Sequence, residues 1–205
     1  MRRRFINNSD AQYPTNINNY LTVEALEDGL TVSLSTNACR YCVDGDGNWI
    51  SLAAGAETES IKAGQTLSLR GNLTPSGYVG IGTFTISKKC NLKGNCMSML
   101  YDANAPFITT IESCAFYRLF YNCANIVNVS ENFLPATILH NHCYDGMFSG
   151  CSSLTTAPEL PASTLESYCY MGMFSGCTSI LNAPDICVDR MQYWCCMEMS
   201  MAVPV

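Results

Sequence analysis

Cys143-Tyr144-Asp145-Gly146-Met147-Phe148-Ser149-Gly150-Cys151 returns as Cys169-Tyr170-Met171-Gly172-Met173-Phe174-Ser175-Gly176-Cys177, a shift of 26 positions. Leu154, Pro158, Leu160 and Leu165 map by the same shift onto Ile180, Pro184, Ile186 and Met191. A more divergent copy precedes them through Ala115, Leu119, Phe120, Cys123 and Ile126, with two extra residues before Leu134-Pro135-Ala136-Thr137. Another opens at Cys195-Cys196-Met197-Glu198-Met199. A unit this short cannot bury its own apolar face, so successive units must stack and set like residues in columns. Residues 113–205 therefore read as about three and a half units of a short solenoid.

Within each unit, Leu119-Phe120, Met147-Phe148 and Met173-Phe174 are expected to fill the interior from a short helical turn ended by Gly. The strand is expected at Ser153-Leu154-Thr155-Thr156, and again at Ser179-Ile180-Leu181-Asn182. Side chains alternate along a strand, so Leu154 and Ile180 point inward. Ser153, Thr155, Thr156, Ser179, Leu181 and Asn182 then form the candidate binding face.

Ahead of the repeats the periodicity changes to two. Leu21, Val23 and Ala25, then Leu30, Val32 and Leu34, alternate with polar residues around Glu27-Asp28-Gly29, which predicts a hairpin. Cys39–Val43 and Trp49–Leu52 flank Asp44-Gly45-Asp46-Gly47-Asn48, a second hairpin whose Asp-Gly steps supply positive-φ positions. Leu67 and Leu69 mark another strand. Val79 and Ile81, then Phe84 and Ile86, alternate in opposite phase around Gly82, which predicts a bulge. The fold is thus mainly β. Residues 1–18 form an extended arm, 19–100 a β-sandwich-like domain, 101–112 a linker or cap, and 113–205 the repeats.

Ala115-Phe116, Cys123 and the run Ala157-Pro158-Glu159-Leu160-Pro161-Ala162-Ser163-Thr164-Leu165 resemble the BspA-type leucine-rich repeats of cell-surface proteins of anaerobic gut bacteria and of their phages. The opening Tyr20-Leu21-Thr22-Val23-Glu24-Ala25-Leu26-Glu27-Asp28-Gly29 is similar to the β-domain that often precedes such repeats. The resemblance implies an adhesive or protein-binding module without catalytic residues.

Composition narrows the function classes. The net charge is −6, with only 11 Lys and Arg. Phosphate backbones reward clustered cations, so no nucleic-acid partner is expected. No apolar run approaches the length of a membrane span, and Phe5-Ile6-Asn7-Asn8-Ser9-Asp10, next after Arg2-Arg3-Arg4, is too polar for a signal-peptide core. The 13 cysteines are accordingly read as buried thiols rather than a disulfide framework, with Cys90 and Cys96 the best-placed pair for a bridge under export.

Several motifs invite chemistry. Asp44, Asp46 and Asn48 have the one-three-five spacing of a calcium loop, but Trp49 and Gly55 stand where Gly and Glu are required, so a hairpin is expected. Cys39 and Cys42 form C-x-x-C inside a strand, where the two side chains point to opposite faces. His140, His142 and Cys143 suggest zinc or a Cys-His nucleophile, yet Cys143 shares a column with Cys169 and Cys195, and His142 one with Tyr168 and Trp194. No metal, cofactor or catalytic residue is expected.

The terminal segment stays apolar through Met197, Met199, Met201 and Val203, which with Trp194 form the candidate interface to a second copy or a larger assembly. The expected function is a non-catalytic module binding a protein or glycan through its repeat face, as a phage virion or appendage component. A cell-surface or secreted adhesin whose leader was removed is the alternative, and a Cys-His hydrolase using Cys143 and His140 the remote one.

Overall fold

The computed structural model describes residues 20–182, Pro184, Ile186, the backbone of Arg190–Met191, Trp194 and Cys195. The chain is mainly β. Strands β1 (Leu21–Ala25), β2 (Val32–Leu34), β3 (Cys39–Val43), β4 (Ile50–Leu52), β5 (Thr66–Arg70), β6 (Phe84–Ile86) and β7 (Cys90–Lys93) come first. Helix α1 (Ser98–Tyr101) and β8 (Thr110–Ile111) follow, then β9 (Ile126–Val129), β10 (Ile138–Leu139), β11 (Thr164–Leu165) and β12 (Arg190–Met191).

A six-stranded sheet runs in the order β4-β3-β5-β1-β7-β9, antiparallel except where β9 joins β7 in parallel. Its alternation packs Leu21, Val23, Leu67, Leu69 and Leu92 against Leu30, Val32, Leu34 and Phe84 of the segments crossing it. Asp44, Gly45 and Gly47 adopt positive φ in the β3–β4 turn, and the hairpin expected there forms with Cys39 opposite Leu52. The hairpin expected between β1 and β2 does not. β5 and β7 occupy both edges of β1, so the turn at Gly29 sends the chain onward to pair β2 with β6. Turn chemistry specifies a reversal, not the strand that becomes the partner.

Nor is there a strand bulge at Gly82. Gly77–Val79 is a 3₁₀ turn with Val79 exposed, and only Phe84–Ile86 is extended. Gly82 adopts φ 102°, and a Cβ there would meet Thr36 Oγ1 at 2.5 Å. The two apolar phases belong to two different local structures.

Beyond residue 108 the equivalent segments lie side by side. β8, β10, β11 and β12 form a parallel sheet in which Ile111, Leu139, Leu165 and Met191 share one register. This pairing stands at Thr164–Leu165, not at the strand expected over Ser153–Thr156. There the Leu154 N–H closes a turn on the Cys151 carbonyl, and only a single bridge, Asn128 to Thr156, continues the pairing. The two extra residues of the first copy fall within the 3₁₀ turn Glu131–Phe133, which seats Phe133 against Phe120 and Phe148 at 6.0 and 6.4 Å.

The expected helical turns are absent as well. Residues 113–122, 141–150 and 167–176 are ribbons of consecutive turns. Alternate N–H groups close turns locally, as Met147 does on Tyr144; those between donate to the next ribbon, as Tyr144, Gly146 and Phe148 do to Cys169, Met171 and Met173. Positive φ at His142, Gly146 and Gly150 interrupts any α-helical run.

Inside the ribbons the aromatic rings stack. Phe84, Phe120, Phe148 and Phe174 form one column with centroid spacings of 5.5, 5.5 and 5.9 Å. Phe116, Tyr144 and Tyr170 form another at 5.8 and 6.0 Å. Offset aromatic pairs add attraction beyond area burial, which fixes the vertical register.

Candidate functional site

Three positions in each ribbon adopt the left-handed conformation, and they recur from copy to copy. One row is Arg118, Gly146 and Gly172, and another is Asn122, Gly150 and Gly176. In both, glycine replaces the side chain after the first copy. The third row does the opposite: Cys114 at φ 58° is followed by His142 at 57°, Tyr168 at 63° and Trp194 at 64°. A left-handed L-residue costs roughly 1–2 kcal/mol, and bulky side chains adopt it rarely. A row that keeps rings where glycine would relax the backbone stores strain, and such strain concentrates at functional positions.

The rings of this row form a surface. His142 and Tyr168 stack at 4.6 Å and 7°. Tyr78, from the turn ahead of β6, meets His142 edge-on at 5.0 Å and Tyr117 at 5.7 Å. The Asp145 carboxylate lies 2.7 Å from His142 Nδ1, and the Tyr78 hydroxyl 3.3 Å from Nε2. The His142 Nδ1–H donates to the Asp145 carboxylate, which fixes the ring's orientation. Arg118 lies over the Tyr117 and Tyr121 rings at 5.1 and 5.0 Å. Burial raises the Tyr117 phenol, with Arg118 opposing. Tyr78 remains 64% exposed and Trp194 51%, while His142 and Tyr168 are half-buried. The column of His142, Tyr168 and Trp194 is visible in the repeat alignment. Tyr78, Tyr117 and Tyr121 carry no such signal, because the first lies ahead of the repeats and the others in the divergent copy.

The residues of the expected strand face differ in exposure. Leu181, Thr156 and Asn182 are exposed, whereas Ser153, Thr155 and Ser179 are half-buried. The Thr155 hydroxyl donates to the Val127 carbonyl and the Ser179 hydroxyl to that of Ser152, so both serve the contact between copies. Of the expected interface, Trp194 is exposed. Met197, Met199, Met201 and Val203 lie outside the described residues.

The thiols are structural in their surroundings. Cys39, Cys42, Cys90, Cys96, Cys114, Cys123, Cys143, Cys151, Cys169, Cys177 and Cys195 are free and buried, so the Cys90–Cys96 bridge is not formed. Cys187 and Cys196 lie outside the described residues. One column bonds copy to copy: Cys123, Cys151 and Cys177 donate to the carbonyls of Phe84, Phe120 and Phe148 at 2.9, 3.2 and 3.0 Å. Cys143 donates to the Glu112 carbonyl at 3.1 Å, and burial pushes its thiol far up, against thiolate formation. His140 Nδ1 is 3.0 Å from Glu166, so carboxylates engage both imidazoles near Cys143.

No protein-family model, curated protein or solved structure matches this chain.

The calcium-like loop resolves into ordinary structure. The Asp44 carboxylate accepts from Thr66 N–H and Gln65 Nε2 at 2.8 Å each, and Asp46 from Asn48 N–H at 2.8 Å, so the calcium-like spacing serves the hairpin. Among the described residues no group of three or more His, Cys, Asp or Glu could hold a metal ion, and no helix is long and apolar enough to cross a membrane.

Proposed function

We propose that the chain is a non-catalytic binding module, a β-domain carrying a short leucine-rich repeat solenoid of the BspA type. It takes a protein or glycan partner. The 26-residue recurrence and the shared register of Ile111, Leu139, Leu165 and Met191 support the repeat architecture. The observation that carries the binding role is the left-handed row of His142, Tyr168 and Trp194, where rings persist against backbone strain beside the exposed Tyr78. Rigid aromatic side chains with polar edges offer large contact area at low entropic cost. The contact surface is accordingly this strip rather than the Ser153–Thr156 edge.

Strain allows a test that separates folding from binding. Tyr168→Gly removes the ring and relaxes a backbone at φ 63°, so its stability stays within about 1 kcal/mol of wild type. Glycan and protein arrays probed with both proteins should show ligands whose signal falls at least tenfold in Tyr168→Gly and in Tyr78→Ala. Ligands retained equally by both variants, or a Tyr168→Gly protein that unfolds, would contradict the assignment.

A further inference from the structure

A second site, independent of the aromatic strip, lies on the β-domain. Ser51, Arg40 and Arg70 are direct cross-strand neighbours on β4, β3 and β5, so their side chains share one face. With Gly71, Asn72 and Asp102 they line a cleft of about 410 Å³.

Arg40 and Arg70 are directly paired across β3 and β5, and like charges at facing positions destabilise a strand pair. Arg70 is held in place: its guanidinium lies 4.1 Å over the Trp49 ring and 5.9 Å from that of Tyr20, with Nη1 3.2 Å from Asp102. Asp102 reaches it from a backbone at φ 49°, a strained residue in this cleft's lining. Among the described residues no ion pair reaches Arg40, which is exposed. Among the described residues the cleft is lined by two cations and one carboxylate, in a chain whose net charge is −6. Its positive charge opposes the molecule's overall field and so focuses anions locally.

We infer that this cleft binds a carboxylate-bearing sugar: Arg40 takes the carboxylate in its planar fork, Arg70 adds a fixed positive charge behind it, and Ser51 and Asn72 meet ring hydroxyls. The volume suits one sugar ring, within the usual range of small-ligand pockets. A rigid fork matches a planar carboxylate in two parallel hydrogen bonds, which a lysine cannot reproduce.

The experiment titrates wild-type protein, Arg40→Gln and Arg40→Lys with glucuronate, glucose and inorganic sulfate by calorimetry, and records each thermal midpoint without ligand. Saturable glucuronate binding is expected, weaker by about tenfold or more in both variants, with glucose and sulfate binding at least tenfold more weakly to wild type. Arg40→Gln should also raise the ligand-free unfolding midpoint, because it removes the facing like charge. No glucuronate binding, equal binding of glucose or sulfate, unchanged binding in Arg40→Gln, or a lowered midpoint would each overturn the inference.

Discussion

The Phe84 ring, on β6 ahead of the repeats, lies 5.5 Å from Phe120 and within 18° of parallel, so a strand residue begins the ring column that the repeats continue. Its N–H donates to the Leu119 carbonyl at 2.7 Å, and its carbonyl accepts from Cys123 Sγ at 2.9 Å. β6 thus occupies the place a preceding repeat would take. Phe84→Ala should cost about 3–5 kcal/mol. Because the ring belongs to both parts, sheet and repeats should unfold in one lowered transition in urea. Two separated transitions in wild type would show that the column does not couple them.

Tyr144 stands between Phe116 and Tyr170 in the second column, and its buried hydroxyl has no hydrogen-bond partner among the described residues. The equivalent position in the first copy is already Phe116. Tyr144→Phe keeps the ring and removes an unsatisfied polar group, so it should stabilise by about 1 kcal/mol. A denaturation midpoint lower than wild type would reveal a partner for that hydroxyl.

Burial raises the folded-state thiols from an ordinary 9.0 to about 12 for Cys39, Cys90, Cys123 and Cys169, and to about 11 for Cys177. A folded value above the unfolded one means that folding takes up protons once the unfolded thiols ionise. The stabilisation is fully present below pH 9 and is lost as pH rises toward the folded values, by up to about 1.4 kcal/mol per thiol per pH unit. Urea midpoints should be insensitive to these groups from pH 6 to 8 and drop steeply above 9. In parallel, iodoacetamide at pH 8 should spare these five in native protein and label them in urea. Rapid native labelling would place them nearer solvent.

Gly150 and Gly172 sit at φ 80° and 56° in neighbouring ribbons, but their surroundings differ. A Cβ on Gly172 meets nothing within 4 Å, whereas one on Gly150 would collide with the Asn122 side chain and approach its Cα at 3.1 Å. Gly172→Ala should therefore cost only the left-handed penalty, roughly 1–2 kcal/mol, and Gly150→Ala distinctly more. Equal costs by chemical denaturation would mean that the ribbons are spaced more widely there.

The period of the repeats was legible because side chains in one column share a chemistry: Cys143 with Cys169, Phe148 with Phe174. The backbone between them was not. A run such as Tyr144–Gly150 has the apolar spacing of a helical turn, and nothing in its side chains shows that alternate N–H groups bond across to Cys169, Met171 and Met173. Likewise Glu27-Asp28-Gly29 announces a turn, while the neighbours of β1 come from residues 66–69 and 90–93. The aromatic strip was half visible, as the His142 and Tyr168 column. Tyr78 joins it only through tertiary packing, as Trp49 joins Arg70.

The account rests on each repeat lying directly upon its counterpart, and ring-to-ring nuclear Overhauser contacts test this most directly. With the phenylalanines assigned, contacts should appear between Phe84 and Phe120, Phe120 and Phe148, and Phe148 and Phe174, whose centroids are 5.5, 5.5 and 5.9 Å apart. None should join Phe120 to Phe174. Missing sequential contacts, or a direct Phe120–Phe174 contact, would contradict the stacked arrangement.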